Sequence, residues 1–425
     1  MAEDNKISEE FEKATSYELK DEDIEKAKLL IGVDIACRDK EQIQTISEDN
    51  VRTYAQACGS DNPLFVDPDY AASTRWGSVF APPMISGFVN APMLGDKMDP
   101  ALKEATKGIF RGIHAFISGG EWEFFKPLYP GDTVYSFAGE SDIEVTPSEF
   151  AGTKVTRFNR SVKMNQRGEI VAIYTYRLIL TERKKAREKG KNLSIEPANY
   201  SDEDIAKIDE LYANDNPRGA DKLFFEDLEV GSALPDSVRG PLTVTDVVNF
   251  HAGGYGWVPY GLRTGRLWHK NRKRIAPFYV KNEMGVPDVA QRLHWDSEWA
   301  KAIGNPRAYD YGVMREHYLY HYLLEWVGDN GWVSRFYDEI RKFNLMGDTQ
   351  FITGEVTGKR EEGGQCLVDV ELKMINQRGE ETVRCDATVV LPSKKNGVVV
   401  LPEPPRDLQR RAVEMISRHR ELSAK

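Results

Sequence analysis

Cysteine is scarce. The 425 residues hold four, Cys37, Cys58, Cys366 and Cys385, far apart and with no C-x-x-C pair. That excludes a disulfide framework or a zinc ribbon and reads as buried thiols of a reducing compartment. Basic excess is missing too. Fifty-seven Lys and Arg stand against 67 Asp and Glu, a net charge of −10. The overall basic footprint of a nucleic-acid binder is therefore absent. No apolar run approaches membrane-spanning length. Residues 1–12 are acidic and carry no apolar core of a secretory signal. No G-x-G-x-x-G follows a strand-like run, and no cluster of side chains has metal-ligand spacing, so no metal or redox cofactor is implied. The expectation is a soluble cytoplasmic protein with neither a nucleic-acid nor a membrane partner.

What is present is a hydrophobic share of 40% with 10% aromatics, enough for a real core, and a length that suits two domains. The two halves repeat one another. Thr156, Phe158, Arg160, Val162 and Met164 alternate up to the turn Asn165-Gln166-Arg167-Gly168-Glu169, and Ile170 to Leu180 continue the period of two. Cys366 to Met374, the turn Asn376-Gln377-Arg378-Gly379-Glu380, and Val383 to Leu391 do the same, with one residue inserted before the turn. Upstream, Gly131-Asp132-Thr133 is matched by Gly347-Asp348-Thr349.

A third match lies further upstream. Leu64-Phe65-Val66-Asp67-Pro68-Asp69-Tyr70-Ala71 echoes Leu293-His294-Trp295-Asp296-Ser297-Glu298-Trp299-Ala300. The histidine of one copy is phenylalanine in the other. Both copies keep an aspartate that suits a helix N-cap, and Pro68 fits the first helical position. Phe65 and Gly131 are 66 positions apart, His294 and Gly347 only 53, so the loops differ. The chain divides into an N-terminal extension (1–44), a first unit (45–182), a charged linker (183–221), a second unit (222–395) and a tail (396–425) expected as a polar surface helix. A short helix is expected over 23–32. Tyr318, Leu319, Tyr322, Leu323 and Trp326 form one apolar stripe and predict a helix over 313–327. A weaker apolar segment, 88–94, holds the matching place after Gly87.

Tyr54-Ala55, Gly59, Asn62-Pro63-Leu64, Asp67-Pro68 and Tyr70-Ala71 resemble the signature of the MaoC-like, or (R)-specific enoyl-CoA hydratase, family. Phe225-Glu226-Asp227-Leu228-Glu229-Val230-Gly231 resembles the opening of a MaoC domain. The resemblance covers residues 45–182 and 222–392. It implies an α+β fold, a tandem (double) hotdog in which curved antiparallel sheets each wrap a central helix. It also implies an acyl-CoA hydratase or dehydratase that moves water across a 2-enoyl thioester in fatty acid metabolism, acting as a homo-oligomer on acyl-CoA or an acyl-carrier thioester. The family's site has an aspartate directly after the signature glycine and a histidine five residues later. The first unit has Ser60 and Phe65 there and is expected to be catalytically silent. The second has His294, with Val289 in the aspartate's place and Asp288 beside it.

Each candidate has two readings. His294 can serve as base or acid near neutrality, or be a histidine hydrogen-bonded inside the fold. Asp310 can replace the missing acid or cap a helix, and Asp288 is the other candidate acid. Gly312 can donate its N–H to a thioester carbonyl at a helix N-terminus, or serve close packing. Tyr309 is a candidate substrate contact beside it. Residues 250–281 interleave His251, Tyr255 and Trp257 with Arg263, Arg266, Arg272, Lys273 and Arg274. These residues suit the phosphates and adenine of coenzyme A; single-stranded nucleic acid or a subunit contact would use the same types. A hotdog thioesterase and a non-catalytic thioester-binding subunit are the alternatives to a hydro-lyase.

Overall fold

The landmarks repeated in the sequence bond to one another. In the second half Arg378 of the Asn-Gln-Arg-Gly-Glu turn reaches Asp348 with Nη1 and Nη2 at 2.6 and 2.7 Å, and Gln377 donates to the same carboxylate at 2.8 Å. In the first half Arg167 and Gln166 reach Asp132 at 3.0 and 3.2 Å. Each Gln in return accepts the backbone N–H of Thr133 or Thr349. The Gly-Asp-Thr turn and the hairpin turn are one device, used twice.

The computed structural model describes residues 18–111, 113–148, 152–181, 195–256, 262–303 and 305–425. Its strands are β1 (Ile35–Ala36), β2 (His114–Phe124), β3 (Val134–Ser148), β4 (Gly152–Asn165), β5 (Ile170–Thr181), β6 (Ser237–Arg239), β7 (Tyr279–Lys281), β8 (Pro287–Val289), β9 (Trp332–Ile340), β10 (Gln350–Glu362), β11 (Gln365–Asn376) and β12 (Glu381–Val390). Ten of them form one sheet in the order β1-β3-β4-β5-β2-β9-β12-β11-β10-β6, every pair antiparallel. The order reads the same from either edge once β1 is matched with β6 and β2 with β9, so the two units meet at β2 and β9. This is the double hotdog. Val134 pairs with Asn165 and Gln350 with Asn376, which gives Met164 and Ile375 the same place in the two halves. The residue inserted in the sequence alignment therefore disappears in the strand register.

The helices are α1 (Asp21–Lys28), α2 (Glu48–Ala57), α3 (Pro63–Val66), α4 (Pro68–Ser73), α5 (Pro100–Ala105), α6 (Asp202–Asn214), α7 (Val244–Phe250), α8 (Gly265–Arg274), α9 (Ser297–Ala302), α10 (Gly312–Val327) and α11 (Arg406–Ser423). Asp67 accepts from the N–H groups of Asp69 and Tyr70 and caps α4; Asp296 accepts from Trp299 N at 2.9 Å and caps α9. Helix α10 has no interior proline or glycine and runs through the middle of the molecule, buried on nearly all sides. Among the described residues the first half has no equal to it. Pro92 interrupts the apolar segment 88–94, and a 3₁₀ turn, Pro83–Gly87, stands in the helix's place. One core joins the halves, with Tyr54, Phe65, Trp122 and Phe124 packed among Tyr320, Leu323, Trp332 and Phe336.

The flanking segments differ from the expectation. The sheet of the first half begins at Ile35, ahead of residue 45, and Ile24 and Ala27 of α1 pack with Ile143, Val155 and Leu180. The tail helix α11 is not merely a surface helix: Ala412, Met415 and Ile416 are buried against Phe125, Phe137, Val162 and Met164 of the first half. Its 3.6-residue stripe is only three residues wide, so the polar majority hid it. Within the linker α6 is closed by a capping box between Ser201 and Asp204. Among the described residues no helix is long and apolar enough to cross a membrane.

Candidate functional site

The second half departs from the first between Tyr255 and His294, where a hairpin of β7 and β8 leads into a 3₁₀ turn, Ala290–His294. Arg292 fastens this excursion. Its guanidinium donates to the carbonyls of Val280, Lys281, Asp288 and Val289 and to the Asp296 carboxylate, and it lies 4.4 Å over the Trp299 ring. Only 2% of Arg292 is exposed. A planar cation with five donors can satisfy that many acceptors at once. Two residues later His294 is held at a fixed place.

His294 is partly buried, with Tyr309 and Tyr311 against its ring at centroid distances of 5.0 and 3.8 Å. Its Nδ1 donates to the Tyr309 carbonyl at 2.9 Å. A carbonyl only accepts, so Nδ1 carries the proton and Nε2 keeps its lone pair. Burial pushes the imidazole down to about 4, against the carbonyls of Tyr309 and Asp310, which favour the charged form. At neutral pH His294 is an uncharged base.

A second imidazole stands beside it. α7 ends in a wide turn, His251–Tyr255, that Gly253 and Gly254 make possible. A Cβ on Gly253 would come within 2.1 Å of the Ala57 Cβ, and Gly254 has φ +122°. The turn presents His251 and Tyr255. His251 Nδ1 donates to the Gly256 carbonyl, which leaves Nε2 to accept the Tyr311 hydroxyl at 3.1 Å. Gln291 donates to the same phenol oxygen at 2.7 Å. Burial lowers the His251 pKa and raises those of Tyr255 and Tyr311, so all three are neutral.

Tyr311 is also the N-cap residue of α10, and no side chain caps that helix. The first N–H groups, starting at Gly312, are oriented along the helix dipole and suit a developing oxyanion. Gly312 serves packing as well: a Cβ there would meet Ile340 Cδ1 at 2.7 Å. The assembled groups are a neutral base (His294), a phenol held by Gln291 and His251, and a helix N-terminus. Such a set can move a proton next to a polarised carbonyl.

Of the residues expected from the sequence, His294, His251, Tyr255, Tyr309 and Gly312 come together here. The two candidate acids do not join them. Asp310 is 1% exposed, and its carboxylate is taken by Arg315 at 2.9 Å and Asn344 at 3.0 Å. Asp288 lies on β8, where its carboxylate accepts the N–H of Val289. Arg266, Lys273 and Arg274 are exposed on α8, and Arg272 stacks 3.6 Å over Trp268. Arg263 lies just before α8 and donates to the Leu262 carbonyl. Trp257 lies outside the described residues. Sequence reasoning missed Tyr311, Gln291 and Arg292 as functional residues. Nearness to Gly312 was the one signal for Tyr311; Gln291 and Arg292 gave none, because their partners come from the unmatched excursion. Among the described residues no three His, Cys, Asp or Glu side chains are grouped as metal ligands.

Residues 30–174 match the family model described as FAS1-like, dehydratase domain region. No curated protein matches the chain. Among solved structures, a MaoC-like dehydratase is 18% identical, with a TM-score of 0.54 over 86% of this chain and 99% of its own. A putative MaoC domain dehydratase from Chloroflexus aurantiacus is 13% identical, with a TM-score of 0.50 over 86% and 96%. A MaoC-like dehydratase from Phytophthora capsici is 11% identical, with a TM-score of 0.46 over 87% and 99%. At these identities the first two speak for the fold.

Proposed function

We propose that this MaoC-like double hotdog is a hydro-lyase that adds water to, or removes it from, a 2-enoyl thioester, with acyl-CoA as the substrate form. The observation that carries the reading is His294: a neutral imidazole whose tautomer is set by the Tyr309 carbonyl, beside the uncapped N-terminus of α10. In the hydration direction Nε2 takes a proton from water as the oxygen bonds to the β-carbon. The electron pair of the double bond moves onto the thioester oxygen as an enolate. The N–H of Gly312 and the helix dipole stabilise that oxygen. The imidazolium then returns its proton to the α-carbon, so one base accounts for both proton transfers and neither Asp288 nor Asp310 is required. Tyr311, held by Gln291 and His251, shields the imidazole face and fixes where the water stands.

The first half keeps the signature's structural part. Asn62 caps α3, and Asp67 caps α4. Ser60 and Phe65 replace the reacting pair, and both are buried. The exposed cations of α8 suit the phosphates of coenzyme A. Incubation with trans-2-enoyl-CoA of graded length tests the reading. Loss of the conjugated enoyl absorbance with no free thiol released is the expected result. Free coenzyme A would make the protein a thioesterase, and binding without turnover a non-catalytic subunit.

A further inference from the structure

The network that takes up the Asp310 carboxylate extends well beyond one ion pair. Arg315 Nε and Nη2 donate to its two oxygens at 2.9 and 3.3 Å, and Asn344 Nδ2 donates at 3.0 Å. Gln350 Nε2 donates to the Asn344 oxygen at 2.9 Å, and Thr382 donates to Gln350. Arg315 Nη1 reaches on to the Lys342 carbonyl at 2.8 Å. All five side chains are buried. Replacing such a buried ionic set by well-packed apolar residues is often neutral or stabilising.

The first half has that apolar alternative in place. Backbone bonds set the correspondence. The Asp310 N–H donates to the Asn344 carbonyl as the Ala81 N–H does to Leu128. The Arg341 N–H donates to Thr382 as the Phe125 N–H does to Val171. Gln350 and Val134 both start a strand, opposite Asn376 and Asn165. Ala81, Leu128, Val134 and Val171 therefore occupy the places of Asp310, Asn344, Gln350 and Thr382, and all four are 0% exposed. Neither the sheet nor the core of this fold needs the polar set.

What differs is the corner that follows. Pro82 and Pro83 lead into the 3₁₀ turn of the first half; Tyr311 and Gly312 lead into α10. The two N-cap residues have similar backbone angles, φ −51° and ψ 128° at Pro82 and φ −73° and ψ 127° at Tyr311. Two prolines stiffen such a corner by fixing φ. The second half cannot use them. A proline in place of Gly312 would remove the N–H that faces the thioester oxygen on the proposed reading, and one in place of Tyr311 would remove the phenol held by Gln291 and His251. Glycine leaves the corner pliable instead. Arg315 lies in the first turn of α10, so its bond to Asp310 spans the corner and ties the helix to the segment before it. The Asp310 N–H and the Tyr309 carbonyl belong to one peptide group, so what fixes Asp310 also aims the carbonyl that receives His294 Nδ1.

We infer that Asp310 is a positioning residue. Together with Arg315 and Asn344 it holds the segment Tyr309–Gly312 so that the Tyr309 carbonyl keeps the proton of His294 on Nδ1 and leaves Nε2 free to act. The polar network does in the second half what two prolines do in the first, without giving up the N–H of Gly312. The inference rests on the hydro-lyase reading for what Nε2 then does.

Nitrogen NMR of the histidine rings reads the tautomer without turnover, and His294→Ala assigns the signal among the seven histidines. The wild type is compared with a variant that carries the first half's residues at four places (Asp310→Ala, Asn344→Leu, Gln350→Val and Thr382→Val) together with Arg315→Met, which fills the space without the charge. The wild type is expected to hold His294 as the Nδ1–H tautomer alone. The variant is expected to melt close to the wild type and to show His294 as a mixture of tautomers. Its kcat for hydration of a trans-2-enoyl-CoA should fall roughly a hundredfold, the scale of a small misplacement at a reacting centre, with KM little changed. A folded variant that keeps His294 wholly as the Nδ1–H tautomer would overturn the inference, and so would a wild type that lacks that tautomer. If the variant does not fold, Asp310→Asn with Arg315→Met, which breaks the tie across the corner and leaves the amides paired, decides by the same tautomer reading. A lost tautomer preference in a protein that hydrates no enoyl-CoA would sink the hydro-lyase reading and leave the positioning standing. An unchanged tautomer in an enzyme that hydrates would do the reverse.

Discussion

Phe65 and His294 occupy one place in two copies of one fold. The copies agree wherever geometry is at stake: strand order, the capping aspartates Asp67 and Asp296, and the turn device of Asp132 and Asp348. They disagree where chemistry is at stake. In the first half the place is closed by a phenyl ring packed on Phe80, with Ser60 buried beside it. In the second it is opened by an excursion that brings in Gln291, Arg292 and a tautomer-fixed imidazole. On the proposed reading the first copy serves as scaffold and the second carries the polar site.

The largest effect should come from exchanging the roles at that place. His294→Ala is expected to lower kcat for hydration about a hundredfold to ten-thousandfold with a melting temperature close to the wild type's. Phe65→Ala, at 2% exposure, should instead cost about 3–5 kcal/mol of stability. Turnover kinetics and thermal unfolding of the two variants side by side check this. A folded His294→Ala enzyme with full activity would remove the proposed base.

The shared turn device offers a finer contrast. Asp348 is fully buried and held by both Nη atoms of Arg378, whereas Arg167 opposite Asp132 is 54% exposed and gives it one bond. Asp348→Ala removes a fully buried carboxylate and strands the donors it satisfies, Leu345 N–H and the Gln377 amide among them, and should cost about 3 kcal/mol or more. Asp132→Ala should cost about half as much or less, since water can replace the lost partner. Chemical denaturation of both variants measures the difference, and equal losses would mean the two turns carry the same load despite their exposure.

Where the halves meet, β2 against β9, stability should depend on pH. Glu316 of α10 and Asp338 of β9 are both buried; Tyr174 and Arg177 of β5, Arg315 of α10 and the N–H of Gly120 face them. Burial raises both carboxyl pKa values above the ordinary carboxylate range. The folded state therefore binds more protons than the unfolded one above about pH 4. The stabilisation is complete below that value and is lost as pH rises towards and through the raised pKa. The melting temperature should fall by roughly a few degrees between pH 5 and pH 8, and Asp338→Asn should flatten that slope. His294 acts in the opposite sense. With its pKa lowered to about 4, its contribution is present above the ordinary histidine value and lost as pH falls through 4. A wild-type slope that Asp338→Asn leaves unchanged would clear this pair of responsibility.

The fold was legible because it is repeated. Period-two strands and turn residues follow local rules, and two copies in one order made each landmark check the other. His294 was legible for the same reason, as the odd residue at a matched place. The contacts that assemble the rest of the site were not, although His251, Tyr255, Tyr309 and Gly312 were among the candidates. Tyr311, Gln291 and His251 act on one another across 20 to 60 positions, and no spacing rule connects residues brought together by an excursion without a counterpart. Asp310 was misleading because an acid just before the glycine that opens α10 has the right identity and the wrong partner; Arg315, five residues on, holds its carboxylate. The missing first-half helix could have been read from Pro92, and the docking of α11 rests on three residues too few to stand out.

The smallest effect belongs to α8, which among the described residues has no counterpart in the first half. No residue of α8 is buried, and Arg272, Lys273 and Arg274 stand in its last turn. Its sequence neighbours at both ends belong to the site: His251 and Tyr255 before, Gln291 and His294 after. Charges at the mouth of an excursion pinned in this way are well placed for the diphosphate of a carrier whose thioester lies at Gly312. Exposed charges contribute little each, and salt screens them over about 8 Å at physiological ionic strength. Reversing all three should therefore raise the dissociation constant for acyl-CoA by roughly tenfold at low salt and less than threefold near 0.15 M, with kcat unchanged because His294 is untouched. Titrations at the two salt concentrations measure both numbers. An affinity indifferent to the reversal at either salt level would detach α8 from coenzyme A, and a shift in sedimentation coefficient in the same variant would assign it to subunit contact.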